Sequence, residues 1–247
     1  VHVIHVANPL DIFFPLGWIK KLLRIKFIFD QHDLCPESYL VKYSISKSSM
    51  IYKILLWFER QTYNVSDVVV STNQSIKDIA VERGNIKPDN IFIVRNGPDS
   101  DFKKVPVNIS VKNNFKYMAA YIGVMGAPDG VENIIYSADY LINTKSYKDI
   151  FYILIGYGDE YENIKALISE LELSDYFSMP GRISDEDVLT ILSAADVCLA
   201  PDPKNGLNEF HTMNKIMDYM RMGKPIVSFD LLESKYSAES AAIYVKN

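Results

Sequence analysis

Residues 208–230 read Asn208-Glu-Phe-His-Thr-Met-Asn-Lys-Ile-Met-Asp-Tyr-Met-Arg-Met-Gly-Lys-Pro-Ile-Val-Ser-Phe-Asp230. A polar loop runs into a short amphipathic stretch, Gly223 stops it, and a continuous apolar run follows. Glycine just past the last periodic residue ends a helix, and an unbroken apolar run is a strand buried on both faces. The stretch is therefore one helix–strand unit of a parallel sheet. At the start of the helix, unpaired N–H groups and the dipole favour an anion. Lys215 in the first turns adds a cation, and Asp218, one turn later, adds a carboxylate able to accept from hydroxyls.

Working outward, the same alternation recurs along the chain. Apolar runs predict strands at 1–7, 25–30, 67–72 and 90–95, with helical spacing of apolar residues over 47–64 and 73–83. Asn96-Gly-Pro-Asp99 is a turn signal. In it Gly97 admits positive φ, and Asp99 is either a substrate contact or a structural residue. Residues 100–114 are polar and aperiodic and read as a linker. A second alternation follows, with strands at 116–123, 150–156, 176–180, 196–200, 225–229 and 242–246. Helices are expected between them at 131–143, 159–171, 185–194 and 212–222. Such alternation predicts an α/β fold of two Rossmann-like parallel-sheet domains facing a cleft. The first, 1–99, is incomplete, and the second, 115–247, lacks its C-terminal end, so the chain reads as a fragment cut at both termini.

Composition narrows the function. The 247 residues are 48% apolar and 23% charged, as in a globular protein. No apolar run reaches membrane-span length, and no signal peptide opens the chain. Cys35 and Cys198 lie far apart without metal-ligand spacing, which points to a reducing, cytoplasmic compartment with neither disulfide nor metal site. Residues 1–110 carry 14 Lys and Arg against 11 Asp and Glu, and the remainder 12 against 20. An acidic second half argues against nucleic-acid binding. The local basic excess at Trp18–Lys26 (Lys20, Lys21, Arg24, Lys26) fits an inner-leaflet membrane surface as well as a solvated helix face before a buried strand. Both readings stay open.

Several ordered motifs span the whole chain: Asp30-Gln-His-Asp-Leu-Cys-Pro-Glu37, Ile93-Val-Arg-Asn-Gly-Pro-Asp99, Tyr121-Ile-Gly-Val-Met-Gly-Ala-Pro-Asp-Gly-Val131, Ile155-Gly-Tyr-Gly158, Pro180-Gly-Arg182 and Ala195-Asp-Val197. With the 208–230 stretch they resemble, in order, the family-4 glycosyltransferases of the GT-B fold. The resemblance implies metal-free, retaining transfer of a sugar from a nucleotide-diphosphate sugar to a glycan or lipid-linked glycan, with no cofactor.

The residues carry this with departures. Gly123 and Gly126 flank a strand-to-helix turn where small residues either admit a phosphate or merely serve the turn. The family's two diphosphate cations are replaced here by Val124 and Asp129. Arg95, Arg182 and Lys215 are the candidate substitutes, Lys215 matching the family's Lys in the last motif. Of the family's paired carboxylates, Asp218 stands at the second position, implied to contact the donor ribose. Phe210 stands at the first, with Glu209 one residue away. Either Glu209 contacts the sugar or the amides after His211, at Thr212, Met213 and Asn214, do so. His211 itself is either a donor contact or packing. His32 and Asp33, at the carboxyl end of a strand, are the candidate acceptor-side pair, with Asp33 as helix-turn cap the alternative. Two other classes remain: a nucleotide-sugar 2-epimerase of similar fold, and a non-catalytic sugar-nucleotide-binding protein.

Overall fold

The structure, a computed structural model, describes residues 2–9, 11–98 and 102–246, and only the backbone at 21 and 22. Asp99 lies outside the described residues. The chain divides into two compact units: Val1–Asn96 with Asn205–Thr212, and Gly97–Lys204 with Met213–Asn247.

The first unit holds a four-stranded parallel sheet in the order β1 (Val3–Ala7), β2 (Lys26–Gln31), β3 (Val68–Ser71), β4 (Ile91–Ile93). Helix α1 (Phe14–Leu23) joins β1 to β2, α2 (Cys35–Lys42) and α3 (Met50–Val65) join β2 to β3, and α4 (Gln74–Gly84) leads to β4. Two consecutive helices here break the strict alternation expected from the sequence. Pro36 opens α2 at its first turn, where proline's missing N–H costs nothing. Side-chain caps define the starts of α3 and α4. Ser49 accepts from the Tyr52 N–H at 3.2 Å, and Asn73 accepts from the Ile76 N–H at 2.8 Å. Phe27, Phe29, Tyr63, Val69 and Ile91 form the centre of this core.

The second unit holds a six-stranded parallel sheet. Its strands are β5 (Tyr117–Ile122), β6 (Ile150–Ile155), β7 (Phe177–Gly181), β8 (Val197–Ala200), β9 (Ile226–Phe229) and β10 (Ala242–Val245), in the order β10-β9-β8-β5-β6-β7. Period-two alternation sends Met118, Ala120, Cys198 and Ala200 to one face and Ala119 and Tyr121 to the other. Helices α5 (Glu132–Asp139) and α6 (Tyr161–Glu170) cover the second face, α7 (Asp185–Ala194) and α8 (Asn214–Arg221) the first. Strand order reverses between β5 and β8, which makes that seam the topological switch point, the place where open parallel sheets bind ligands.

Element boundaries differ from expectation by a few residues, and α5 passes into a π-turn over Tyr140–Thr144. A further helix, α9 (Leu232–Ala238), was not expected. It buries Glu233, Ser234 and Ala238 and exposes Leu232, so its apolar pattern carries no helical period. Gly97 is not among the left-handed glycines. Of the stretch expected as linker, Phe102 packs on the second unit's core, and the Val105 N–H donates to Ser193 Oγ at 3.0 Å.

Candidate functional site

In the second unit three loops meet at the switch point. Gly123 follows β5, Asp202 follows β8, and Lys215 lies in the first turn of α8. Lys215 is buried, its Nζ 2.7 Å from Asp202 Oδ1 and 3.6 Å from Asp129 Oδ1. The ammonium also lies 5.0 Å from the ring centre of the fully buried Tyr121. Among the described residues the second oxygen of Asp202 is buried without a hydrogen-bond partner. Burial raises the Asp129 carboxyl above its ordinary range, and the Lys215 charge opposes that rise. Tyr219 ties α8 to the sheet: its Oη accepts from the Ile122 N–H at 2.9 Å and donates to the Leu199 carbonyl at 3.1 Å.

Glycines shape this corner. Gly156 sits at φ +135°, and a Cβ there would stand 1.8 Å from the Gly123 carbonyl oxygen. A Cβ on Gly158 would stand 2.3 Å from the Met125 carbonyl oxygen. The Ile155-Gly-Tyr-Gly158 motif therefore serves the close passage of the 123–126 loop over the end of β6. The Gly126 N–H donates to Asp129 Oδ2 at 3.0 Å, so Asp129, standing where a cation was expected, closes its own turn. Asp218 is half-buried one turn along α8 from Lys215, and Met213 and Asn214 lead into that helix. Arg182 is exposed after β7, two strands away from the switch point. A groove of about 320 Å³ on the α5 face, lined by Ala119, Tyr152, Leu199 and Val227 among others, carries no charged side chain.

The other expected residues gather in the first unit. The His32–Asp33 pair does not form as such. His32 Nε2 lies 3.2 Å from Asp30 Oδ1, while Asp33 faces His211 at 3.7 Å. Asp30 also meets His5 at 3.1 Å. Asp33 does not cap the following helix either, since α2 begins after Leu34 without a side-chain cap. Segment 205–212, which carries Glu209, His211 and Thr212, packs against this unit through Leu207 and Phe210, beside Leu34 and Ile76. Asn73 Nδ2 donates to the Phe210 carbonyl at 2.8 Å and to Thr212 Oγ1 at 3.0 Å, and Arg95 reaches the same hydroxyl at 3.5 Å. Phe210, at the place of a family carboxylate, is thus a packing residue.

Two residues at the heart of this geometry were not expected. Asn8, buried beyond β1, accepts at Oδ1 from the N–H groups of His32 (2.8 Å) and Asp33 (3.1 Å). Its Nδ2 donates to the Asp33 carbonyl at 2.7 Å and to Asp11 Oδ1 at 3.1 Å. The other is Asp202. No local spacing announces either one, because their partners lie 24 and 13 residues away.

Comparison with known proteins joins these observations. The Glycosyltransferase Family 4 model matches residues 1–102, and the Glycosyl transferases group 1 model matches residues 116–244, more than half of the chain. The chain belongs to the family-4, group 1 glycosyltransferases. Over 234 residues it is 23% identical to a probable glycosyltransferase, WbjE, of Pseudomonas aeruginosa, covering 92% of this chain and 56% of that protein. Among solved structures, Anabaena Alr3699/HepE in complex with UDP aligns with TM-score 0.73 at 16% identity, covering 99% of this chain and 65% of that one. WaaG, a glycosyltransferase involved in lipopolysaccharide biosynthesis, aligns with TM-score 0.71 at 15% identity, covering 94% and 67%. The two parallel-sheet α/β domains are those of the GT-B fold. The chain spans little more than half the length of the curated relative it matches. Among the described residues no helix is long and apolar enough to cross a membrane.

Proposed function

We propose that this chain carries the donor- and acceptor-side units of a retaining, metal-independent glycosyltransferase that moves a hexose-type sugar from a nucleotide-diphosphate sugar to a polysaccharide or glycolipid acceptor. The observation that carries this reading is the meeting of Lys215, the α8 N-terminus and the Gly123–Gly126 loop at the switch point of the second sheet. The matched relatives give it independent support. Alr3699/HepE is described in complex with UDP, and WaaG is described as acting in lipopolysaccharide biosynthesis.

The chemistry asked of the site is charge stabilisation of a departing diphosphate. Lys215 supplies a buried cation held in place by Asp202, and the first N–H groups of α8 add oriented donors. With both carboxylates ionised the cluster is net negative. Taking up a proton at Asp129, whose pKa burial already raises, lowers that charge when an anion arrives. Asp218 is the candidate for the ribose hydroxyls. On the first unit, His32 held by Asp30, and Asp33 facing His211, are the groups to orient an acceptor hydroxyl. Front-face attack then leaves the hydroxyl proton to the departing phosphate.

A second reading has its own support. Val124 and Asp129 replace two cations, and Lys215 is already ion-paired, as suits a protein that binds a sugar nucleotide without turning it over. The full-length protein carrying this chain separates the two. Acceptor-dependent turnover of a UDP-hexose or GDP-hexose, lost in Lys215→Ala, supports transfer. Calorimetric binding without turnover on any acceptor supports the second reading. Turnover unchanged in Lys215→Ala sinks the role given to that residue.

A further inference from the structure

Asn73 is fully buried and makes two connections of opposite kind. Its Oδ1 accepts from the Ile76 N–H at 2.8 Å and so caps α4. Its Nδ2 donates to the Phe210 carbonyl at 2.8 Å and to Thr212 Oγ1 at 3.0 Å, partners 137 and 139 residues further along the chain. These partners fix which way round the amide lies, because a peptide N–H only donates and a carbonyl only accepts. Aspartate and serine start helices as well as asparagine does. Of the three, only asparagine carries two N–H donors beside its acceptor. The cap alone therefore does not call for asparagine, and the second connection does.

That connection falls on the segment that carries Glu209, His211 and Thr212. The segment begins as a tight turn of its own. Asn205 Oδ1 accepts from the N–H groups of Leu207 and Asn208 at 2.9 and 2.8 Å, and the Phe210 N–H donates to the Leu207 carbonyl at 3.1 Å. The next bond of the turn, from the His211 N–H to the Asn208 carbonyl, is already long at 3.4 Å. The chain then enters α8 at Met213, and that helix has no side-chain cap, whereas Ser49, Asn73 and Ser184 cap α3, α4 and α7. Residues 210–212 thus lie between a loosening turn and an uncapped helix start. The Asn73 amide grips both ends of that stretch. Arg95, at 3.5 Å from the Thr212 hydroxyl, sits at the outer limit of a hydrogen bond.

We propose that Asn73 is a positioning residue for the donor-binding segment: its two donated hydrogen bonds set the course of residues 210–212, and with it the placement of the Thr212 hydroxyl and of the amides that follow His211. The inference rests on the transferase reading, in which those groups meet the donor. The test uses the full-length protein carrying this chain. Asn73→Asp and Asn73→Ser both keep the cap and lose the two donations, so the melting temperature and the protection of the α4 amides should stay close to those of the unchanged protein. Hydrogen exchange at the Phe210 and His211 amides should quicken. The Kd for UDP or GDP should rise about tenfold and kcat/KM for the donor should fall to match. Agreement between the charged and the neutral variant excludes added charge as the cause. Asn73→Ala loses the cap as well and should add a drop in melting temperature that the other two lack. Unchanged exchange at those two amides in both capped variants overturns the proposal, and so does faster exchange with nucleotide affinity and kcat/KM unaltered. If the unchanged protein binds neither UDP nor GDP, the transferase reading falls and this inference with it. Equal binding and turnover in the unchanged protein and both capped variants defeat this inference alone.

Discussion

Each unit sets a cation between two carboxylates, Arg83 half-buried and Lys215 buried, yet the two clusters are built differently. In the first unit Arg83 forks onto Glu37 at 2.6 and 3.1 Å and reaches Glu59 at 3.3 Å, in the layer where α2, α3 and α4 pack. Tyr52 Oη adds a hydrogen bond to Glu37 at 3.0 Å. A planar guanidinium with several donors leaves such a site closed. In the second unit a lysine makes one short contact, one long contact and a ring contact, and a carboxylate oxygen of Asp202 stays unsatisfied. That cluster sits among glycine loops at the switch point of the sheet, where parallel sheets in general bind ligands. One cluster ties three helices together, and the other leaves an Asp202 oxygen without a hydrogen-bond partner among the described residues. The difference follows from which cation each uses and from what lies next to it.

The largest expected effect comes from emptying the open cluster. Lys215→Ala leaves the buried Asp202 and the half-buried Asp129 without their cation and should cost about 3–5 kcal/mol of stability. It should also lower turnover by about 100-fold or more. Combining Lys215→Met with Asp202→Asn restores most of the melting temperature but none of the turnover. If the double variant also regains activity, Lys215 is structural and the contrast with Arg83 collapses. Arg83→Met should instead lower the melting temperature while donor binding in the second unit is unchanged.

Next in size is Gly156→Ala. Its methyl would stand 1.8 Å from a backbone oxygen at a left-handed φ, so the 123–126 loop must shift. A destabilisation of about 3 kcal/mol is expected, with nucleotide binding weakened beyond what stability explains. Calorimetry below the melting transition reads the second effect. Binding as tight as in the unchanged protein would separate the glycine pair from the site.

Much of this contrast was legible in the residue order, and part of it was not. Buried strands read as apolar runs, so the sheet of the second unit, with its Lys215 helix and Gly loops, followed from pattern alone. Helices α1 and α2 carry Pro15 and Pro36 in their first turns, with no polar cap to announce them, and α9 turns polar residues inward. Pairings were the harder part. His32 has two aspartates within two residues and meets the one on the strand, Asp30. Lys215 finds Asp129 because β8 lies beside β5, which is a property of strand order. Side-chain partners chosen by topology leave no spacing to read.

A smaller effect probes the acceptor-side loop. Asn8→Ala strips the N–H groups of His32 and Asp33 of their acceptor, at a cost of about 1–3 kcal/mol. The readout specific to positioning is hydrogen exchange at those two amides together with a fall in kcat at unchanged donor affinity. Amides as protected as before would show that other contacts hold the loop.

The smallest expected effect tests whether the Arg83 cluster is closed at all pH values. Burial raises Glu59 from 4.5 to about 7 despite Arg83, and raises Asp11 from 3.8 to about 6 despite the hydrogen bond from Asn8. Between roughly pH 4.5 and 7 the folded chain therefore keeps a proton at Glu59 that the unfolded chain has released. The contribution is fully present below the unfolded value and is lost as pH rises through the folded one. Stability of the first unit should fall across that window by up to about 1.4 kcal/mol for each pH unit on account of Glu59. Glu59→Gln keeps the shape, removes the titration and should flatten the dependence of melting temperature on pH between 5 and 7. The shallower slope from Asp11 should remain up to about pH 6. Equal slopes in both proteins would mean that Glu59 stays ionised throughout, with Arg83 outweighing burial and the cluster as closed in charge as it is in geometry.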